Sequence, residues 1–120
     1  MITKRLVCTH RLRRIPKRFS WIDQRLVREK HISALSCQSC ALYLFLVTVA
    51  DAEGLSYYSE SSILKYLPFD SASLENARKE LCATGLIAYR YPFYQVLSLM
   101  DDGYEPLKIR TSSLKYPKKT

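Results

Sequence analysis

Glycine is scarce in this chain, with 3 in 120 residues. Phosphate-cradling loops and dinucleotide fingerprints each need several glycines within a few positions, so nucleotide-dependent chemistry is not expected and no cofactor is expected. Long apolar runs are missing too. The longest, over residues 40–47 and trailing into Thr48, Val49 and Ala50, falls well short of the roughly 17–25 residues that cross a bilayer. The first residues hold charge but no apolar stretch of secretory-signal length, and they lack the Ser-rich amphipathic pattern of a transit peptide. A cytoplasmic protein without a membrane partner is the expectation. Histidine is limited to His10 and His31, in or beside the basic leader, and no acid pair falls in a pocket-forming pattern, so no enzyme is expected.

Acidic residues are outnumbered, 11 against 19 Lys and Arg, and the imbalance sits at one end. Residues 1–30 hold Lys4, Arg5, Arg11, Arg13, Arg14, Lys17, Arg18, Arg25, Arg28 and Lys30 against only Asp23 and Glu29. Residues 31–100 are mildly acidic, with Lys65, Arg78, Lys79 and Arg90 facing six carboxylates. The cluster Arg11, Arg13, Arg14, Lys17 and Arg18 can release condensed counterions from a phosphate backbone, an attraction blind to sequence and weakened by salt. Nucleic acid is therefore the expected partner. Anionic membranes and acidic protein surfaces are the competing readings of the same charge.

At 48% hydrophobic and 25% charged residues the composition is that of one globular domain with a real core. The expected organisation is a basic N-terminal arm over residues 1–18, a folded domain over 19–100, and a tail over 101–120 broken by Asp102, Gly103 and Pro106. Phe19, Trp21, Ile22, Leu26, Val27 and Ile32 fit either a short helix capped by Ser20 or an extended lead-in. Ser36 then precedes residues 37–50, apolar on nearly every side and long enough for a buried helix, with Gly54 expected to supply the left-handed residue at its end. Residues 55–58 read as an edge strand. Ser59 starts a helix with an Ile63, Leu64, Leu67 face that stops at Pro68. Asp70 or Ser71 caps the next, where Leu74, Ala77 and Leu81 repeat at helical spacing until Gly85. Residues 86–90 and 94–99 read as two strands joined around Tyr91, Pro92 and Phe93.

This order is that of an α+β, mainly helical, winged helix-turn-helix domain with a small antiparallel sheet and flexible basic termini. Leu42-Tyr43-Leu44, Ala50-Asp51 to Gly54-Leu55-Ser56-Tyr57-Tyr58-Ser59, and Ala77-Arg78-Lys79-Glu80-Leu81 to Gly85-Leu86-Ile87 resemble the N-terminal winged-helix domains of bacterial plasmid and phage replication initiators. The resemblance covers roughly residues 19–99. It implies a DNA-binding module serving replication initiation or transcription regulation of a replicon or mobile element. The second and third helices carry less positive charge than a DNA reader usually does.

With Leu74, Ala77 and Leu81 inward, about 100° per residue sets Ala72, Asn76, Lys79 and Ala83 on the far face of the third helix. Asn76 can exchange two hydrogen bonds with an adenine edge, and Lys79 can reach guanine acceptors or a phosphate. Arg78 lies nearer the core flank, suited to a backbone contact or a structural ion pair, and Glu75 with Lys79 also fits a solvated helix pair. Ser71 and Ser73, like Ser59 and Ser61, stand at helix starts where they can hold phosphate oxygens or simply cap. Arg90 adjoins the wing tip. Tyr89, Tyr91, Phe93 and Tyr94 can stack on unpaired bases, although core and cross-strand packing is the commoner role of aromatic residues on a small sheet. The expected nucleic-acid surface is thus Arg11, Arg13, Arg14, Lys17, Arg18, Ser71, Ser73, Asn76, Arg78, Lys79 and Arg90.

Four cysteines in a cytoplasmic chain rarely form disulfides. Cys37-x-x-Cys40 with Cys8 and His10 offers a tetrahedral zinc donor set, and a helix-start redox pair is a further reading, but the expectation adopted is no metal, with Cys40 and Cys82 as small buried apolar residues. Two functional readings compete. One is a sequence-reading DNA module. The other is a structural subunit of a larger nucleoprotein assembly whose arm follows RNA or DNA. Residues 31–100 are few enough that a homodimer or another partner over the apolar first helix would add useful burial.

Overall fold

The three longer helices each start at an oxygen-bearing side chain, which is why their beginnings can be read locally. The computed structural model describes residues 2–99, so the expected tail lies outside the described residues. Residues 2–23 run without helix or strand into a single turn, α1 (Arg25–Arg28), and a 3-10 turn at Ile32–Ala34. Ser36 Oγ accepts from the Ser39 N–H (3.1 Å) to open α2 (Cys37–Val49). Strand β1 (Leu55–Tyr57) follows. Ser59 Oγ accepts from the Ser62 N–H (3.2 Å) to open α3 (Glu60–Tyr66), and Asp70 Oδ1 from the Ser73 N–H (2.9 Å) to open α4 (Ser71–Ala83). Strands β2 (Ile87–Arg90) and β3 (Phe93–Val96) complete the order, joined through Tyr91 and Pro92.

The three strands form one antiparallel sheet in the order β1-β3-β2, so β1 is an edge strand as its sequence suggested. The last strand begins one residue earlier and ends sooner than its apolar run, although the Leu97 N–H still reaches the Leu86 carbonyl at 3.0 Å. The result is an α+β fold of four helices and a small sheet among the described residues.

Leu42 and Leu46 of α2, Ile63 of α3, and Leu74, Ala77 and Leu81 of α4 meet Leu86, Ile87 and Tyr94 from the sheet side in one core, with Leu26 and Leu99 joining it. Fully burying one such leucine stabilises the fold by about 1.5–3 kcal/mol. The helical spacing of Leu74, Ala77 and Leu81 thus marks the inward face of α4, as expected. Helix α4 stops with the Gly85 N–H on the Cys82 carbonyl and the Leu86 N–H on the Leu81 carbonyl (both 3.1 Å), a Schellman pair that the left-handed Gly85 (φ +79°) permits.

Three local expectations are corrected. Ser20 caps no helix; its hydroxyl donates to the Thr48 carbonyl (3.1 Å), and residues 19–23 form no helix or strand before the single turn at Arg25, so the chain here is a lead-in. Cys82 is exposed, because it lies on the flank of α4 beside Arg78, outside the packed stripe. Gly54 does not end α2, which stops at Val49 with an extended Ala50 (ψ 151°). Its positive φ (+84°) belongs to a turn tied by Asp51, whose Oδ1 accepts from the Glu53 and Leu55 N–H groups at 2.8 and 2.9 Å. There Gly54 lets two backbones close up: its carbonyl accepts from the Val96 N–H (2.8 Å), and a Cβ would stand 2.5 Å from the Val96 oxygen.

The two glycines should therefore respond differently to alanine. Gly85→Ala meets no atom within 4 Å and should cost only the left-handed conformation, about 1–2 kcal/mol. Gly54→Ala must also displace the Val96 carbonyl and should cost clearly more by urea unfolding. Equal losses would contradict the close approach of β1 and β3.

Candidate nucleic-acid interface

Because α4 buries Leu74, Ala77 and Leu81, it turns Ala72, Glu75, Asn76, Lys79 and Ala83 to solvent. Asn76 lies on an open cleft of about 360 Å³ shared with Ser36, Gln38, Ser73, Ala77 and Glu80, where the start of α2 meets α4. Gln38 and Ser36 are additions that sequence periodicity could not supply, since the cleft joins two helices distant in the chain. Gln38 is exposed and brings a second amide beside Asn76. Lys79 Nζ sits 3.4 Å from Glu75 Oε2, the solvated i,i+4 pair its spacing allowed.

The floor of this cleft is set by Glu80. Its Oε1 accepts from the Ser36 N–H (3.0 Å), the Ser36 hydroxyl (3.0 Å) and the Ser39 hydroxyl. These donors, led by Ser39, hold its carboxyl below the ordinary value of 4.5. A carboxylate of α4 thus joins the cap of α2, taking the Ser36 N–H while Ser36 Oγ takes that of Ser39. The start of α4 is similarly occupied: Asp70 takes the Ser73 N–H, whose donation lowers the Asp70 pKa. Ser73 is half-buried and Ser71 exposed. At the start of α3 the Ser59 hydroxyl binds Ser62 and contacts Ser61 Oγ at 3.3 Å, so capping accounts for this cluster.

Arg78 is drawn to the sheet, away from Asn76. Its guanidinium carbon lies 4.6 Å from the Tyr89 ring centroid, and Nη1 donates to the Tyr94 hydroxyl at 3.2 Å. Of the two roles its position allowed, the structural one is the one seen, although its partners are aromatic rather than acidic. Arg90 is exposed at the end of β2, next to the Tyr91–Pro92 turn.

In the arm, Arg11, Arg13, Arg14, Lys17 and Arg18 are all exposed, and none has a carboxylate partner among the described residues. Arg13 and Arg14 share an open groove of about 670 Å³ with Ile15, Pro16, Phe19, Ser20, Trp21 and Ile22. Arg25, counted with the leader's charge by sequence, is instead an internal group. Its Nη2 lies 2.8 Å from Asp23 Oδ2 and its Nε 3.2 Å from both carboxylate oxygens, with the side chain 11% exposed. These bonds hold Asp23 below the usual carboxylate range.

Cys8, His10, Cys37 and Cys40 are not assembled: among the described residues no group of three or more His, Cys, Asp or Glu side chains could hold a metal ion. Cys40 is half-buried, and burial, followed by the nearby Cys37 and Glu80, pushes its thiol up, the opposite of an activated redox cysteine. No helix among the described residues is long and apolar enough to cross a membrane. Comparison of the chain with family models, curated proteins and solved structures produced no match.

The Glu80 latch carries a pH signature. A carboxyl whose folded pKa is depressed contributes stability that is present above its ordinary value and lost as pH falls through the folded value. Glu80→Gln should lower Tm at pH 7, and the gap from the parent protein should narrow below about pH 4.5. Melts across pH 2.5–7, about the titration range of carboxyl groups, would measure it; a gap of constant size would contradict the role assigned to the charge.

Proposed function

We propose that this chain is a winged helix-turn-helix nucleic-acid-binding module, acting on DNA in the cytoplasm as a regulator or accessory factor of a replicon or mobile element, without catalysis of its own. The observation that carries this reading is the topology. Helix α2, edge strand β1, helix α3, a tight turn, helix α4 and the β2–β3 hairpin follow one another, with β1 paired to the last strand. In that arrangement α3 and α4 form the helix-turn-helix, α4 lies in a major groove, and the hairpin is the wing.

The side chains support the same assignment of roles. Asn76 and Lys79 project from α4 where base edges would lie, Gln38 shares the cleft with Asn76, and Arg90 lies at the wing for a phosphate or minor groove. Arg11, Arg13, Arg14, Lys17 and Arg18 supply most of the affinity through phosphates and do not choose a sequence. Arg78 positions α4 on the hairpin instead of touching the ligand.

One observation favours a second reading, a subunit of a larger nucleoprotein assembly or a homodimer whose arm follows RNA or DNA. Asp70 caps α4 and Glu75 follows in its second turn, placing negative charge on the helix, and Lys79 is paired to Glu75. Such a helix would suit protein contacts, and binding would then be salt-sensitive and sequence-blind.

Selection from a random duplex pool followed by anisotropy titrations separates the two. The DNA-module reading expects a preferred site whose base preference relaxes in Asn76→Ala while affinity for random duplex stays within about twofold. Replacing the five arm residues by alanine should weaken binding uniformly and reduce the slope of log K against log salt by about 4–5. A pool that yields no preferred site, or a preference that Asn76→Ala leaves unchanged, would overturn the assignment to α4.

A further inference from the structure

Beyond the duplex-reading role of α4, a different surface carries its own signal: the outer face of the sheet. Strand alternation divides the sheet cleanly. Ser56, Tyr94 and Tyr89 face inward with Ile87 and Val96, whereas Leu55, Tyr57, Ala88, Arg90, Phe93 and Gln95 face out. Phe93 is opposite both Tyr57 on β1 and Arg90 on β2, so these three side chains form one row across the sheet. Tyr91 follows Arg90 in the turn at the hairpin tip and is 80% exposed.

The two faces use aromatic residues differently. On the inner face Tyr89 and Tyr94 lie 4.6 Å apart, bound to Arg78 and the core, and serve packing. On the outer face the Tyr57 and Phe93 rings are 5.5 Å apart and tilted by 46°, and they leave 68% and 44% of these residues in water. None of the six outward strand residues is acidic, and the row ends in the cation Arg90.

We propose that the row Tyr57, Phe93 and Arg90, with Tyr91 at its end, is a stacking platform for unpaired bases of a single-stranded nucleic acid. Flat π surfaces next to a cation match a ligand that alternates bases with phosphates. A duplex hides its base faces, so it cannot stack on these rings except at a melted end, whatever it does at Arg90. Arg90 holds the backbone phosphate and the rings take successive bases without choosing among them. The basic arm raises the local concentration of either nucleic acid and adds no preference for the single strand.

The test uses the full chain at about 0.2 M salt, where phosphate contacts alone are weakened. Anisotropy is read with three labelled probes: a thymidine oligonucleotide, an abasic strand of equal length, and a duplex closed by hairpins at both ends. The parent protein should bind the thymidine strand at least about tenfold more tightly than the abasic one, because only the former can stack. Tyr57→Ala and Phe93→Leu should each lose about tenfold on the thymidine strand and change duplex binding by less than about twofold, with Tyr57→Phe retaining affinity. In a strand carrying 5-iodouracil, photocrosslinks should map to Tyr57, Tyr91 or Phe93. Asn76→Ala should leave these results unchanged, which keeps the platform separate from the α4 assignment. Equal affinity for thymidine and abasic strands, equal losses on all three probes, or crosslinks confined to the arm would overturn the proposal. So would conversion of a parent dimer to a monomer by Tyr57→Ala, since the face would then belong to a second copy.

Discussion

One packed stripe determines how this molecule presents itself. Leu74, Ala77 and Leu81 are buried along a single side of α4, against α2 on one flank and the sheet on the other. Two polar latches fix its roll. Glu80 ties α4 to the N-terminus of α2 through Ser36 and Ser39, and Arg78 ties it to Tyr89 and Tyr94. A helix held in this way has little freedom to rotate, so its opposite face must project. The placement of Asn76 follows from that constraint more than from any property of the asparagine itself.

The same arrangement separates tasks that the linear charge pattern merges. Basic residues of the chain fall into groups with different physics: arm side chains open to water, Arg25 held by Asp23, Arg78 stacked on a tyrosine, and Lys79 shared with Glu75. The arm group, like Arg90 at the end of β2, has no carboxylate partner among the described residues. In the proposed reading, long-range attraction to a polyanion falls to the arm, and local recognition to surfaces that the core holds rigidly. Those surfaces are the outer side of α4 and the outer side of the sheet, which share no residues.

Much of the framework was readable because its determinants are local. Ser36, Ser59 and Asp70 start helices by bonding an N–H three residues on, Gly85 stops one with its own backbone angle, and the Leu74–Ala77–Leu81 spacing marks an inward face wherever a helix lies on a core. What escaped sequence reasoning depends on partners far along the chain. Glu80 looks like a solvent-facing acid until Ser36 arrives from 44 positions away. Gly54 looks like a helix terminator until β3 comes alongside and needs the missing Cβ. Tyr57 resembles any strand tyrosine until the register sets it opposite Phe93. In the candidate site, exposure of Asn76 and Lys79 was legible from periodicity, whereas the inward turn of Arg78, the internal pairing of Arg25 and the addition of Gln38 required the assembled fold.

The most direct test of the central claim, that the outward side of α4 is the face that meets nucleic acid, is residue-resolved NMR of the full chain titrated with its selected duplex. The account predicts the largest amide and side-chain shifts at Asn76, Lys79 and Gln38 on the folded body, accompanied by the arm, with Leu74, Ala77 and Leu81 changing little. Shifts confined to the arm, with the α4 signals unmoved at saturation, would contradict it.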